Sequence, residues 1–305
     1  MNRKLNYTVH DKDDGILVER FLKNQGYSHP ILVQLKKTPY SITRDGIWLY
    51  TNEILHSNDV LSINLIENSC KNDILPINLP LDIIYEDEDV LLVNKPCGMP
   101  VHPSIANYDN TLANAVTYYF NTKNEPIIFR CLNRLDKDTT GVLLIAKHSL
   151  SSAILSSDIR NRFIKREYLC VVSGITSLSG IIDAPIARKE GSILERTVDF
   201  QKGEHAVTHF QRIAVYDNMS LLNVVLETGR THQIRVHMKY IGHPLLGDFL
   251  YNPDFQKIKR QSLHSARLSF VHPISKQQVD FYAPLPNDML SLFPDFDFLK
   301  WKFLH

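Results

Sequence analysis

The stretch RLDKDTTGVLL, Arg134 to Leu144, sets a base and an acid on either side of a leucine, just before an apolar run. A carboxylate at such a border can act as nucleophile or general base once it is fixed in a closed site. Asp136 can equally cap the turn at Thr139-Thr140-Gly141 and pair with Arg134, and in isolation that structural role is the better reading. To react, it needs a partner that keeps it ionised in a partly dry pocket, because desolvation alone raises a carboxyl pKa and neutralises the group. An arginine from elsewhere in the fold would serve.

A second segment, ETGRTHQIRVHMKYIGHPLLGD, carries cations in a pattern. Thr231 is a good helix cap and Gly242 with Pro244 a good stop, which predicts a short helix over residues 232–241. Ile234, Met238 and Ile241 make an apolar stripe on it, while His232, Arg235 and Lys239 follow one another on another face. Periodicity alone slightly favours a surface helix that packs by one side and leaves its bases solvated.

The 13 histidines invite a metal reading, which their spacing opposes. His205 and His209 in HAVTH lie in an alternating, strand-like segment, where four residues span about 13 Å. His232 and His237 are five apart, and on a helix they turn away from each other. Neither a Walker nor a Rossmann glycine pattern is present, so neither a metal nor a nucleotide cofactor is expected. Cys70, Cys97, Cys131 and Cys170 lie far apart without a C-x-x-C pair and read as buried thiols in a reducing compartment.

The 305 residues, 44% hydrophobic, can bury a core in one large domain or one large and one small. The start, MNRKLNYTVHDKDDG, lacks a signal-peptide core and no run approaches the roughly 18 apolar residues of a bilayer span, so a cytoplasmic location is expected, with no membrane partner. The net charge is only +1, but eight Lys/Arg face four Asp/Glu between Ile128 and Cys170, and seven face two between Arg230 and Arg267. Contact with a polyanion or two solvated basic faces explain that distribution equally well.

The segment GILVERFLKNQG reads as a helix, followed by short strands turning at Asp45-Gly46; NSCKNDILPINLP then reads as a linker, with a boundary near residues 70–80. Beyond it, VLLVNKP, GVLLIAK and EYLCVVSG read as strands, and NTLANAVTYYF and SLSSAILSSDI as helices opening on Asn110 and Ser149. AVTHFQRIAVY and SLLNVVLETG read as an antiparallel pair joined at Asp217-Asn218. The fold class is therefore mixed α/β or α+β.

Taken together, these segments resemble the RluA family of pseudouridine synthases, in particular its RluC- and RluD-like members. VLLVNKPCGMPVHP is similar to the family's first motif, NRLDKDTTGVLLIAK to its catalytic motif, KREYLCVVSG to its tyrosine motif and ETGRTHQIRVHMKYIGHPLLGD to its arginine-bearing motif, with LHSARLSFVHP following. The resemblance implies an RNA pseudouridine synthase, with Asp136 as catalytic carboxylate, Tyr168 against the target base and Arg235 as the base that positions Asp136. It also implies supporting or substrate-binding places for Arg134, Arg230, His232 and Gln233, and an apolar pocket wall at Leu268. The implied fold is α+β: a mixed, largely antiparallel sheet with a central RNA-binding cleft over residues 81–305, a linker over 73–80 and, over 1–72, a worn ribosomal-protein-type RNA-binding module with Lys36 and Lys37 left of its basic helix.

Two positions depart from the family pattern. Asn133 stands where a histidine is usual and can still hold a loop by hydrogen bonds, and Thr140 replaces a serine while keeping its hydroxyl. The isomerisation implied needs no redox group, nucleotide or metal. The implied partner is RNA, first large-subunit ribosomal RNA and otherwise transfer RNA, and a monomer is expected. Two other readings stay open: a hydrolytic N-glycosylase, for which a second acid to activate water is missing from these motifs, and a non-catalytic RNA-binding or ribosome-assembly protein.

Overall fold

A computed structural model describes residues 2–67 and 74–303. The first part contains β1 (Asn2–Thr8), α1 (Val18–Asn24), α2 (His29–Lys37), β2 (Ile42–Arg44), β3 (Ile47–Trp48) and β4 (Val60–Ile66). Its strands form one sheet in the order β1-β4-β2-β3. The turn at Asp45-Gly46 is as expected: φ is 54° and 82° there, the paired left-handed conformation that matches strand twist in a two-residue hairpin.

The second part begins with β5 (Ile83–Glu86), β6 (Val90–Lys95), α3 (Leu112–Thr122), β7 (Thr140–Ala146), α4 (Ser149–Arg160) and β8 (Lys165–Ser173). It continues through β9 (Ser179–Asp183), β10 (Ile186–Arg188), β11 (Arg196–Val198), β12 (Val207–Tyr216), β13 (Met219–Leu226) and α5 (Gln233–Tyr240). β14 (Leu263–Val271), β15 (Gln278–Tyr282), α6 (Asn287–Leu290) and α7 (Phe298–Phe303) complete it. Among the described residues the large sheet runs β5-β6-β7-β14-β8-β13-β12-β9, with β15 on β14. Its pairs are antiparallel except β7 with β14, so the class is α+β with a mixed, largely antiparallel sheet. No helix among the described residues is long and apolar enough to cross a membrane.

The two parts share a core. Leu150, Ala153 and Ile154 of α4 join the cluster built by Phe21, Leu22, Leu32 and Ile63 of the first part. Arg3 of β1 reaches Asp89 at 2.8 Å, and His148 holds the same carboxylate at 2.9 Å from the other side.

Several local expectations are corrected. Thr111, not Asn110, caps α3, because it forms a reciprocal capping box with Asn114. α4 is capped by the His148 ring, which accepts from the Ser151 N–H, rather than by Ser149. α5 starts after His232, not Thr231, and His232 takes a left-handed φ of 58°. Nor is α5 a surface helix: Gln233 to Met238 are all buried, since the helix packs against β11 and β12. Of the cysteines, Cys170 is buried but Cys97 is exposed in a turn; Cys70 lies outside the described residues.

The parallel junction depends on Gly141. Its φ is 111°, and a Cβ there would lie 2.2 Å from the Ser265 carbonyl oxygen across the β7–β14 pair. We predict that Gly141→Ala lowers stability by about 3 kcal/mol or more through combined backbone strain and overpacking. Chemical denaturation reads this directly, and an unchanged midpoint would refute the close approach.

Candidate active site

Asp136 sits in the loop between Asn133 and Thr139, and that loop is held from several directions. Asn133 accepts from the Leu144 N–H at 2.8 Å and donates to the Val142 carbonyl at 3.3 Å, which ties the loop to β7. Lys95, fully buried, donates from Nζ to the carbonyls of Pro96, Met99 and Lys137 at 2.8–2.9 Å. Burial pushes its pKa down to about 8, with nearby acidic groups opposing the fall. Gln261 donates to the Thr139 hydroxyl at 3.0 Å, and the Asp136 carbonyl accepts from the Thr139 N–H.

Thr140 keeps its hydroxyl engaged as well. His264 Nε2 lies 3.1 Å from the Ala283 carbonyl, to which it must donate, so Nδ1 accepts from the Thr140 hydroxyl at 2.8 Å. Burial lowers the His264 pKa to about 4, which keeps this neutral tautomer in place at ordinary pH.

The arginine the carboxylate requires comes from α5. Arg235 donates from Nη1 to Asp136 Oδ2 at 2.8 Å, and from Nε and Nη2 to the two oxygens of Asp248 at 2.7 Å each. Arg235 is 1% exposed and Asp248 fully buried, whereas Asp136 is half-buried and opens toward the cavity. Burial works against the guanidinium charge, but hydrogen bonds and charge from Asp248 and Asp136 outweigh it, and the Arg235 pKa rises. The rings of Tyr251 and Phe249 lie 5.0 Å and 5.6 Å from the guanidinium carbon, adding cation–π contact.

His232 faces the same carboxylate. The Tyr251 hydroxyl accepts from the Arg196 N–H at 2.8 Å, so its hydrogen is free for His232 Nδ1 at 3.0 Å. That arrangement leaves Nε2 as the protonated nitrogen, 3.7 Å from Asp136 Oδ2. Burial lowers the His232 pKa, against the pull of Asp136, and favours the neutral ring.

These groups line a cavity of about 520 Å³. Tyr168, on β8, is buried in its wall, and burial raises its phenol pKa so that it stays neutral. Six arginines reach the lining: Arg134, Arg160, Arg162, Arg166, Arg230 and Arg235, against the acids Asp136 and Glu227. The two basic segments of the sequence thus meet at one opening. Arg166 presents a buried Nε without a hydrogen-bond partner beside Tyr168.

Arg134 is exposed on the cavity lining and does not pair with Asp136. Arg230 donates from Nε to the His205 carbonyl and pairs with Glu204 at the rim. Gln233 lines the cavity but spends its amide on the fold, donating to the Val207 carbonyl and Thr208 hydroxyl and accepting from Thr228 and the Arg230 N–H. Leu268 is absent from the cavity lining and lies in the buried cluster with Leu92, Val142, Leu144 and Phe270, whereas Leu263 of the same strand lines the cavity. Lys95, Asp248, Tyr251 and Gln261 were missed by sequence reasoning, and the L-L-G-D ending of the arginine segment was the only signal for Asp248.

His205 and His209 pair separately, with Asp183 and Glu227. A cluster of Asp87, Asp89 and His272 forms elsewhere, but Asp89 is already held by Arg3 and His148 and ties the two parts of the chain together.

Residues 89–240 match the family model described as RNA pseudouridylate synthase. An RNA pseudouridine synthase of Bacillus subtilis, YjbO, is 40% identical over 276 residues, 90% of this chain and 97% of its own. Ribosomal large subunit pseudouridine synthase D of Zymomonas mobilis is 45% identical over 232 residues, 72% of this chain and 73% of its own. The structure of human RNA pseudouridylate synthase domain containing 1 superposes with a TM-score of 0.58 at 26% identity, covering 70% of this chain and 87% of that one. With near full-length relatives at that identity and the same fold around the cavity, the chain belongs to the RluA family of RNA pseudouridine synthases, isomerases that convert uridine to pseudouridine in RNA.

Proposed function

We propose that Asp136 is the carboxylate that reacts with the target uridine, that Arg235 pairs with it and orients it, and that Tyr168 lies against the flipped base. The observation that carries this reading is the 2.8 Å contact from Arg235 to Asp136 in a cavity lined by six arginines. In the isomerisation the bond from the sugar to the base nitrogen breaks, the base turns, and a bond to carbon five replaces it. The hydrogen at carbon five leaves and a proton joins the freed nitrogen, so the base neither gains nor loses an atom.

The residues divide these tasks. Extruding a base from its stack costs a few kcal/mol, which stacking and edge contacts in the pocket must offset. Tyr168 and Leu263 supply the apolar walls, while Arg134, Arg166 and Arg230 suit the phosphates on either side of the extruded nucleotide. His232, neutral and directed at Asp136, would fix the orientation of the carboxylate without adding charge. Residues 81–305 would then be the catalytic domain and 1–72 an accessory RNA-binding module.

The RNA we propose is large-subunit ribosomal RNA. Support comes from the relative named for that substrate at 45% identity over 72% of this chain. Transfer RNA is the other outcome of the test below.

Three measurements check this reading. Release of tritium from carbon five of labelled uridine is expected from the ribosomal RNA of cells lacking this enzyme and not from their transfer RNA; Asp136→Asn should abolish it while RNA binding stays intact. Release by that variant at the wild-type rate would remove Asp136 from the chemistry. Arg235→Lys should cost about 10²-fold or more in turnover, because a point cation cannot serve three acceptors in a plane and misplaces the carboxylate; wild-type turnover would contradict the pairing. Asp248→Asn breaks a buried ion pair and should lower stability by about 3–5 kcal/mol, whereas Asp136→Asn, at the cavity opening, should cost under about 1 kcal/mol. Equal unfolding midpoints for the two variants would refute that ordering.

A further inference from the structure

The first part of the chain carries an aromatic surface that the cavity does not use. The Trp48 ring lies 5.8 Å from that of Tyr40 and 5.1 Å from that of Tyr50, at interplanar angles of 35° and 31°, so the three form a continuous ladder. Tyr40 is 65% exposed, Tyr50 58% and the adjacent Ile47 74%. Single exposed apolar residues are ordinary on a protein surface, but rings in mutual contact make a patch.

The backbone holds the ladder open. Tyr40 has a left-handed φ of 56°, which a residue of its bulk seldom adopts and which costs about 1 kcal/mol or more. The Asp45-Gly46 hairpin sets Trp48 opposite Thr43, and Tyr50, two residues on, has its N–H bound by the Glu53 carboxylate at 2.8 Å.

We propose that Tyr40, Trp48 and Tyr50 form a stacking platform for unpaired bases of the RNA substrate, outside the catalytic cavity. The inference rests on the RNA-modifying activity established above and adds where a second stretch of that RNA is held. Aromatic faces accept any base, since every base has a π-face, and a nearby cation completes such a site by meeting the backbone. Lys37, three residues before Tyr40 at the end of α2, is exposed and forms no ion pair among the described residues, while Lys36 is held by Glu19. A protein partner fits less well. Three rings and one isoleucine offer a few hundred Å², well short of the ~800 Å² a side that stable protein interfaces bury.

The chain supplies its own reporter. It has two tryptophans, and Trp301 is 4% exposed, so quenching of tryptophan fluorescence by a stacked base reads Trp48. A short oligoadenylate is the probe, because it contains no uridine and its signal does not pass through the reacting base. Titrated into the full-length protein, it should quench saturably. The double variant Tyr40→Ala with Tyr50→Ala should bind about five-fold or more weakly at an unchanged melting temperature, and Trp48→Phe should lose the signal but keep most of the affinity. Lys37→Gln should weaken binding at low salt and leave the quench amplitude intact.

Absence of quenching in the wild type, or equal affinity in the double variant, overturns the platform. Equal affinity together with wild-type self-association that the double variant loses would make the face a protein contact instead. Tritium release is read separately: intact release without quenching rejects the platform alone, and quenching without release rejects the proposed reaction at Asp136 alone.

Discussion

One guanidinium shared between two carboxylates determines the rest of the site. Arg235 is buried, so its charge must be compensated by protein, and Asp248 and Asp136 meet three of its donors at 2.7–2.8 Å. The inner acid is fully buried and takes both bonds of a planar fork; the outer acid takes one and keeps its second oxygen toward the cavity. One arginine thus links a buried charge pair to a single oriented carboxylate at the surface of a pocket. Removing the inner acid would leave the buried guanidinium without its bidentate partner, a costly outcome for a core, whereas the outer acid can be lost with the inner pair intact.

The loop that carries Asp136 is treated the same way. Lys95 meets its Lys137 carbonyl, Asn133 ties it to the backbone of β7 and Gln261 holds the Thr139 hydroxyl, and none of the three touches the carboxylate. Lys95 is notable because all three of its ammonium hydrogens go to main-chain oxygens, so a charged group that desolvation pushes down to about 8 serves as a backbone clamp. Behind the loop, Gly141 lets β7 approach β14, the one parallel pairing in a sheet whose other pairings are antiparallel. A short irregular segment is therefore tied to the ends of β6 and β7 and to Gln261 ahead of β14.

Much of this was legible in the sequence, and the failures have physical causes. Short apolar runs and a few alternating segments identified the strands, and the two hairpin turns at Asp45-Gly46 and Asp217-Asn218 were readable because only a few residue types tolerate paired left-handed φ. Helix starts were misread by one residue at α3, α4 and α5, since capping depends on which side chain reaches back, as His148 does and Ser149 does not. Arg235 read by periodicity alone as a solvated base; only the resemblance placed it next to Asp136, ninety-nine residues away. Asp248 and Tyr251 escaped notice because nothing local marks a partner that the chain brings back from beyond a turn. Leu268, expected as a pocket wall, packs into a buried cluster instead, and Cys97 was expected to be buried where a turn exposes it.

The helix α4 has a geometric consequence of its own. At one end Leu150, Ala153 and Ile154 are embedded in the core of the N-terminal part, and at the other Arg160 reaches the cavity lining. Its twelve residues span about 18 Å and cannot stretch, so the helix works as a ruler between the N-terminal part and the cavity. Adding or removing one full turn would shift the interval by about 5.4 Å and roughly keep the phase, whereas a change of two residues would swing one end to the far side of the axis. Insertions that other parts of the surface absorb as loops would here reset the interval between the core of the N-terminal part and the cavity lining, so the length of this one helix fixes a distance that loops elsewhere leave free.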